Sequence, residues 1–276
     1  MKAGLKLNWR PLFLLCFFAL GFNLYAEPAY VLNRAESVFA LDLRKDIIIS
    51  ALSVGVFLSP RLVTGGRMYP NQNISDINVI DRRLMFDRNR AVDIASITLT
   101  SWMGALPIIV PIALVEWRDL RSDFCIWFTY GVMYAQALGF TRGTRSIIGR
   151  LIGRPRPHYY FDDTIERPFR GNGFPSGTTA LAFMPATFLS MTFAAEFSGS
   201  RWKIPVIVGS HTLAATVGVG RIISGRHFLT DVLAGAAVGS FFGWLIPTLH
   251  RRPGNDDENN VSFHFKGNGA VMSVRL

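Results

Sequence analysis

The chain has 276 residues, half of them hydrophobic and only 17% charged, with a net charge of +10. This balance excludes a disordered chain and points to a polytopic membrane protein of a length that suits one membrane domain. The positive excess lies largely in Arg residues between apolar runs, which fits membrane flanks and an anion pocket, and no nucleic-acid partner is expected.

In chain order, Lys2, Lys6 and Arg10 precede an apolar run over 11–20, and Tyr25-Ala26-Glu27 follows. Residues 1–26 are read as a signal peptide or a signal anchor. Six apolar segments come next, near 47–64, 94–115, 124–140, 176–196, 205–219 and 228–249. Several fall short of the roughly 20 residues a crossing helix needs, and the first is interrupted by Pro60 and Arg61. Together they predict an all-α fold, a polytopic membrane helix bundle of about six transmembrane helices within 27–250. Arg82, Arg83, Arg88 and Arg90, interleaved with Leu84, Met85 and Phe86, predict an interfacial amphipathic helix. His211 lies inside an apolar segment and is expected to hydrogen-bond between helices. Gly235, Gly239 and Gly243 give the last helix a small face for close packing. The remaining 251–276 form a polar tail whose loosely alternating end is read as a frayed terminus. Cys16 and Cys125 both sit in apolar runs, so neither a disulfide nor a metal site is expected.

The residues able to do chemistry gather at helix ends. Arg221, His227 and Asp231 stand where the last apolar run opens, an expensive place for ionisable groups without partners or a task. His227 and Asp231 are spaced i, i+4, so the carboxylate can accept the proton of one ring nitrogen while the other keeps its lone pair. Upstream lie Gly153-Arg154-Pro155-Arg156-Pro157 and Pro175-Ser176-Gly177-Thr178. Guanidinium binds phosphate in a bidentate way and stays charged, and the N–H groups at a helix start point at an anion.

Arg-x5-His-x3-Asp, Arg-Pro and Pro-Ser-Gly in this order resemble the motifs of the type-2 phosphatidic acid phosphatase (PAP2) and haloperoxidase superfamily, over roughly 47–249. The resemblance implies His227 as a nucleophile forming a phosphohistidine, Asp231 as the group that orients it, and Arg156, Ser176, Gly177 and Arg221 as phosphate binders. It implies no cofactor and no metal, a lipid phosphate or diphosphate substrate, and membrane lipids as surroundings. Two positions depart from the pattern: the motif Lys falls on Gly149 and the general-acid His on Thr178. Arg145, one turn back, or Arg150 can replace the Lys, and His158 can replace the acid. Thr178 can donate a hydrogen bond but cannot act as an acid near neutral pH. A missing acid weighs most on an alkoxide leaving group and least on a phosphate, so the sequence leans towards diphosphate esters or towards lost turnover. A binding protein without turnover, and a membrane transport or structural protein, are the alternatives. The expected location is the cell (inner) membrane, multi-pass, with the site facing away from the cytoplasm.

Overall fold

The computed structural model of the chain describes residues 37–62, 73–113, 124–161, 171–252, 261–266 and 269–274. The signal-like segment 1–26 lies outside them. Each of the six apolar segments folds as a helix: α1 (Leu43–Leu58), α3 (Arg90–Ala113), α4 (Phe124–Ile152), α5 (Gly177–Glu196), α6 (Lys203–Ile223) and α7 (Leu229–His250), with the short α2 (Val79–Arg83) ahead of α3. Among the described residues, four helices (α3, α5, α6 and α7) are long and apolar enough to cross a membrane. α1 has 16 residues, about 24 Å at 1.5 Å per residue, short of a hydrocarbon core of roughly 30 Å. α4 has 29 residues, and Arg142, Arg145 and Arg150 polarise its last turns.

α5 is the central helix: 61% of its apolar window is buried inside the bundle, against 17–33% for the other three. Its closest partner is α7, and the small face expected there explains the approach. A Cβ on Gly235, Gly239 or Gly243 would stand 2.4, 2.3 or 2.5 Å from the backbone oxygens of Ser176, Ala180 and Met184. Glycine alone lets the two backbones meet. Gly139 and Gly143 of α4 likewise receive Ser53 and Val56 of α1, a close approach for which the sequence gives no expectation. A core of Met133, Ala137, Met184, Phe188 and Ile246 fills the space between α4, α5 and α7. His211 bridges α6 to α5 through Thr187 at 3.3 Å.

The helices alternate in direction. One end of the bundle therefore collects the starts of α3, α5 and α7 and the ends of α4 and α6. At the other end, His250 meets Asp46 at 2.5 Å, and Glu196 accepts from Ser37 at 2.8 Å and Tyr130 at 2.7 Å. The C-terminal segment corrects the expectation of a frayed end. Val261–Lys266 (β1) pairs antiparallel with Gly269–Val274 (β2), Val261 opposite Val274. The amphipathic stretch near 82–90 is also shorter than expected. α2 has five residues and buries Asp81, while Val79, Ile80 and Phe86 are exposed.

Candidate active site

Two helices end at this face on glycines with positive φ. Gly153 (φ 63°) closes α4, its N–H bonding Gly149 O at 2.9 Å, and Gly225 (φ 66°) closes α6 through Ile222 O at 2.9 Å. A left-handed residue after the last turn suits glycine and turns the chain sharply. The first turn delivers Arg154 and Arg156, the second Arg226 and His227. Gly171 and Gly173 then pair with the carbonyls of Gly153 and Arg154 at 2.9 and 2.8 Å, which brings the two strands of this loop together.

His227 is 2% exposed. Its Nδ1 lies 2.7 Å from the carbonyl of Gly173 and 3.7 Å from Asp231. A carbonyl only accepts, so Nδ1 carries the proton and Nε2 keeps the lone pair. This corrects the expected geometry, because the acceptor on Nδ1 is a backbone oxygen and the carboxylate stands one step away. Asp231 is occupied elsewhere. Its Oδ2 accepts the Phe228 N–H at 2.9 Å, capping α7, and its Oδ1 pairs with Arg154 at 2.7 Å. Burial, followed by Arg156 and Arg221, pushes the His227 pKa well below the ordinary histidine value, against the Gly173 bond.

Arg221 is 3% exposed and gives NH1 to Asp93 at 2.5 Å and to Ser96 at 3.1 Å; its buried Nε has no acceptor among the described residues. Arg156 gives Nε to Asn172 at 3.0 Å. Burial, then Arg226, Arg221 and Arg145, lower its pKa to about 10, so it remains charged near neutral pH. Arg145 donates to the carbonyls of Pro175 at 3.1 Å and Asn172 at 3.2 Å. A Cβ on Gly177 would stand 2.8 Å from its Nε, so the guanidinium lies across the start of α5. The Ser176 hydroxyl caps α5, accepting from Thr179 N at 3.4 Å and Thr179 Oγ1 at 2.8 Å, and its own N–H bonds Asp231 O at 2.9 Å. Thr178 is half-buried in the first turn. Arg150 is exposed in the last turn of α4.

His158 does not stand as a donor. Its Nδ1 is 3.0 Å from Gly225 O, so the neutral ring has no proton on Nε2. Burial lowers its pKa, with Arg226, Arg156 and Arg88 adding to the effect against the Gly225 bond. It serves instead as a post under the 224–228 turn.

Three participants carry no motif signal. Asp93 carries Arg221 on one oxygen and Arg226 on the other, the latter an ion pair at 2.9 Å. Asp81 accepts from Arg154 at 2.7 Å and from Thr230 Oγ1 at 2.6 Å. Arg226 itself is an unspecified position inside the His227 motif. Arg154 is thereby a strut between two carboxylates and stacks 4.3 Å over Phe228. An acidic residue at the edge of an apolar run is the available signal for Asp93.

Comparison with known proteins gives these positions a frame. Over 86 residues, 30% of this chain, it is 38% identical to a lipid A 1-phosphatase of Porphyromonas gingivalis, and covers 18% of that protein. Over 117 residues, 40% of this chain, it is 33% identical to a lipid A 1-phosphatase of Rhizobium etli, and covers 45% of it. The chain thus spans less than half the length of either relative. A crystal structure of a transmembrane PAP2 type phosphatidylglycerolphosphate phosphatase from Bacillus subtilis aligns over 87% of this chain and 94% of its own, at 18% identity and a TM-score of 0.41. The PAP2 superfamily model matches residues 126–254, and this PAP2 superfamily segment is the stretch that carries Arg145, Arg156, Ser176, Arg221, His227 and Asp231.

Proposed function

We propose that this chain is a membrane phosphatase that hydrolyses a lipid phosphate or diphosphate ester through His227. The observation that carries the reading is the fixed tautomer of His227: Nδ1–H is spent on Gly173 O at 2.7 Å, and Nε2 is left as a lone pair beside guanidinium groups. Nε2 attacks phosphorus and the bond from phosphorus to the bridging oxygen breaks, the ester oxygen of a monophosphate or the anhydride oxygen of a diphosphate; that oxygen takes the electron pair, and an alkoxide then takes a proton from water whereas a departing phosphate needs none. Water then cleaves the phosphorus–nitrogen bond and restores the imidazole. Charge on the transferring group spreads over its oxygens, so fixed cations do most of the work. Arg156 and Arg221 supply them, and Arg145 stands in for the motif Lys. As the ring becomes a phosphoimidazolium, the Gly173 carbonyl and the nearby Asp231 carboxylate stabilise its charge.

Thr178 directs the reading towards diphosphates. A departing phosphate is a far weaker base than an alkoxide and needs less protonation. The same substitution favours a second reading, a protein that holds a lipid phosphate without turning it over. The relatives' substrate supports a lipid-borne phosphate as the target. We place the site on the face away from the cytoplasm of a cell (inner) membrane. Arg44, Lys45, Arg201, Lys203, Arg251 and Arg252 mark the opposite end of the bundle; the site end carries more arginines, which by the same rule favour the cytoplasm, but the chemistry of the site places them and their weight in the rule is small. The test is phosphate release by the purified chain from matched lipid mono- and diphosphates. Release that disappears in His227→Ala supports the hydrolase; equal release by His227→Ala refutes His227 as nucleophile. Lipid-phosphate binding with no release by wild type establishes the second reading.

A further inference from the structure

Arg226 is not among the motif's defining residues, yet the fold treats it as a partner of Arg221. Both backbone N–H groups that follow the α6 turn, those of Arg226 and His227, bond the Arg221 carbonyl, at 3.2 and 3.1 Å. Asp93 then takes Arg221 on Oδ1 at 2.5 Å and faces Arg226 with Oδ2, an ion pair at 2.9 Å. One carboxylate thus holds two guanidinium groups side by side. It satisfies neither fully. Arg226 Nε is close enough to Asp93 to pair with its charge, but among the described residues neither that Nε nor the Nε of Arg221 finds a hydrogen-bond acceptor, and both are buried. A buried unmatched donor calls for an acceptor, and two on adjacent cations call for an anion.

The charge balance agrees. Arg145, Arg156, Arg221 and Arg226 act on one another or on His227 across this site, and Asp93 is the carboxylate paired with two of them. With Arg154, Asp81 and Asp231 counted as well, the described residues of the site set five guanidinium groups against three carboxylates, a surplus of positive charge that an anionic ligand offsets. Depth separates the two arginines: the Arg221 side chain is 3% exposed and that of Arg226 is 22%. A phosphoryl group attacked by the buried His227 sits at the level of Arg221, and its leaving group extends towards the rim. Arg226 stands nearer that rim.

We propose that Arg226, held by Asp93, is a specificity-determining residue that binds the second, lipid-proximal phosphate of a diphosphate ester. The proposal rests on the hydrolase reading above. It places Arg156 and Arg221 on the transferring phosphoryl group and Arg226 on the phosphate that leaves with the lipid. A monophosphate ester offers Arg226 nothing but an ester oxygen and hydrocarbon.

The experiment measures kcat and KM of the full chain in detergent on farnesyl monophosphate and farnesyl diphosphate, for wild type, Arg226→Gln, Arg226→Lys and Asp93→Asn. Arg226→Gln removes a charge-assisted hydrogen bond to the second phosphate and lowers kcat/KM on the diphosphate by about 10–100-fold, a loss about tenfold greater than any it causes on the monophosphate. Arg226→Lys, which keeps the charge and loses the planar fork, falls between. Asp93→Asn loosens both guanidinium groups and lowers both substrates. Equal losses on the two substrates in Arg226→Gln and Arg226→Lys, or no loss in either, overturn the proposal. A binding arm keeps it separate from turnover: inorganic pyrophosphate should raise the unfolding temperature of wild type more than inorganic phosphate does, and Arg226→Gln should erase that difference. Absence of turnover in wild type with this difference intact removes the hydrolase reading and leaves the subsite standing. Equal stabilisation of wild type by both anions overturns the subsite whatever the turnover.

Discussion

Gly177→Ala tests whether Arg145 is part of the site. The added Cβ would stand 2.8 Å from Arg145 Nε, 3.1 Å from its Cζ and 3.2 Å from its Cδ, too close to be tolerated unmoved. The backbone of Gly177 is anchored by the Ser176 cap on Thr179 and by Ser176 N on Asp231 O at 2.9 Å, so the arginine must give way. It then leaves its bonds to Pro175 O at 3.1 Å and Asn172 O at 3.2 Å. Hydrogen bonds from a charged donor contribute about 1.5–3 kcal/mol each, and alanine regains about 0.5–1 kcal/mol of backbone entropy over glycine. With Arg145 half-buried and rehydrated on release, the net loss should be about 1–3 kcal/mol, and a displaced phosphate ligand should raise KM about tenfold.

The assay is a double-mutant cycle with Arg145→Ala, read by chemical unfolding in mixed micelles and by phosphate release. With the guanidinium gone, the three atoms nearest the new Cβ are gone too, so Gly177→Ala should be neutral to slightly stabilising and leave KM unmoved, a coupling of about 1–4 kcal/mol. If Gly177→Ala costs as much with Arg145→Ala as without it, the clash lies elsewhere and Arg145 does not lie across the start of α5. If Arg145→Ala leaves KM unchanged, Arg145 does not replace the missing Lys.

The other expectations follow from burial and packing. The folded pKa of His227 is depressed, so below about 6.5 the unfolded chain takes up a proton that the folded chain refuses. Stability then falls as pH drops below that value, by up to about 1.4 kcal/mol per pH unit; His158 adds in the same direction. Unfolding midpoints measured from pH 7.5 to 5.5 should decline less steeply in His227→Gln, and parallel curves would contradict the assignment. Gly239→Ala forces a methyl to within 2.3 Å of Ala180 O in a backbone-to-backbone contact. It should destabilise the bundle by at least about 1–3 kcal/mol, and an unchanged unfolding midpoint would show that α5 and α7 are not so closely packed. Thr178→His should raise monophosphate turnover within the roughly 10²–10⁴ range of general-acid effects and diphosphate turnover far less. Equal gains on both would mean that Thr178 disturbs something other than proton donation.

The helices are legible in the sequence because apolar runs and small-residue spacing are local properties of the chain. Gly235, Gly239 and Gly243 announce a close-packing face on α7 for that reason, but not that α5 is the helix it receives. The roles of Arg154 and His158 are not legible, because each depends on what the fold brings opposite it: Asp81 and Asp231 for one, the Gly225 carbonyl for the other. The partner of His227 Nδ1 is hidden for the same cause. Spacing i, i+4 sets the distance to Asp231, but Gly173 arrives from a separate loop, and backbone acceptors leave no trace in a motif. The hairpin at 261–274 is visible only as alternation, and a short strand reads the same whether or not it finds a partner.

The two carboxylates outside the matched segment bear on what the functional unit is. Residues 126–254 contain the site's arginines and His227, but Asp81 and Asp93 come from α2 and α3 and are 0% and 6% exposed. Between them they take ion pairs from Arg154, Arg221 and Arg226. Removing one partner of a buried pair costs about 3–5 kcal/mol, because the other charge is left uncompensated. Stripped of α2 and α3, the matched segment would hold three guanidinium groups with a single described carboxylate, Asp231, among their partners. Mutual repulsion would then pull the 153–156 and 221–227 turns apart, and those turns are what bring Arg156, Arg221 and His227 to one place. The candidate site residues lie in the matched segment, but two of the carboxylates that hold their arginines come from the N-terminal side. Substitutions at Asp81 and Asp93 should therefore behave as site substitutions despite lying outside every motif.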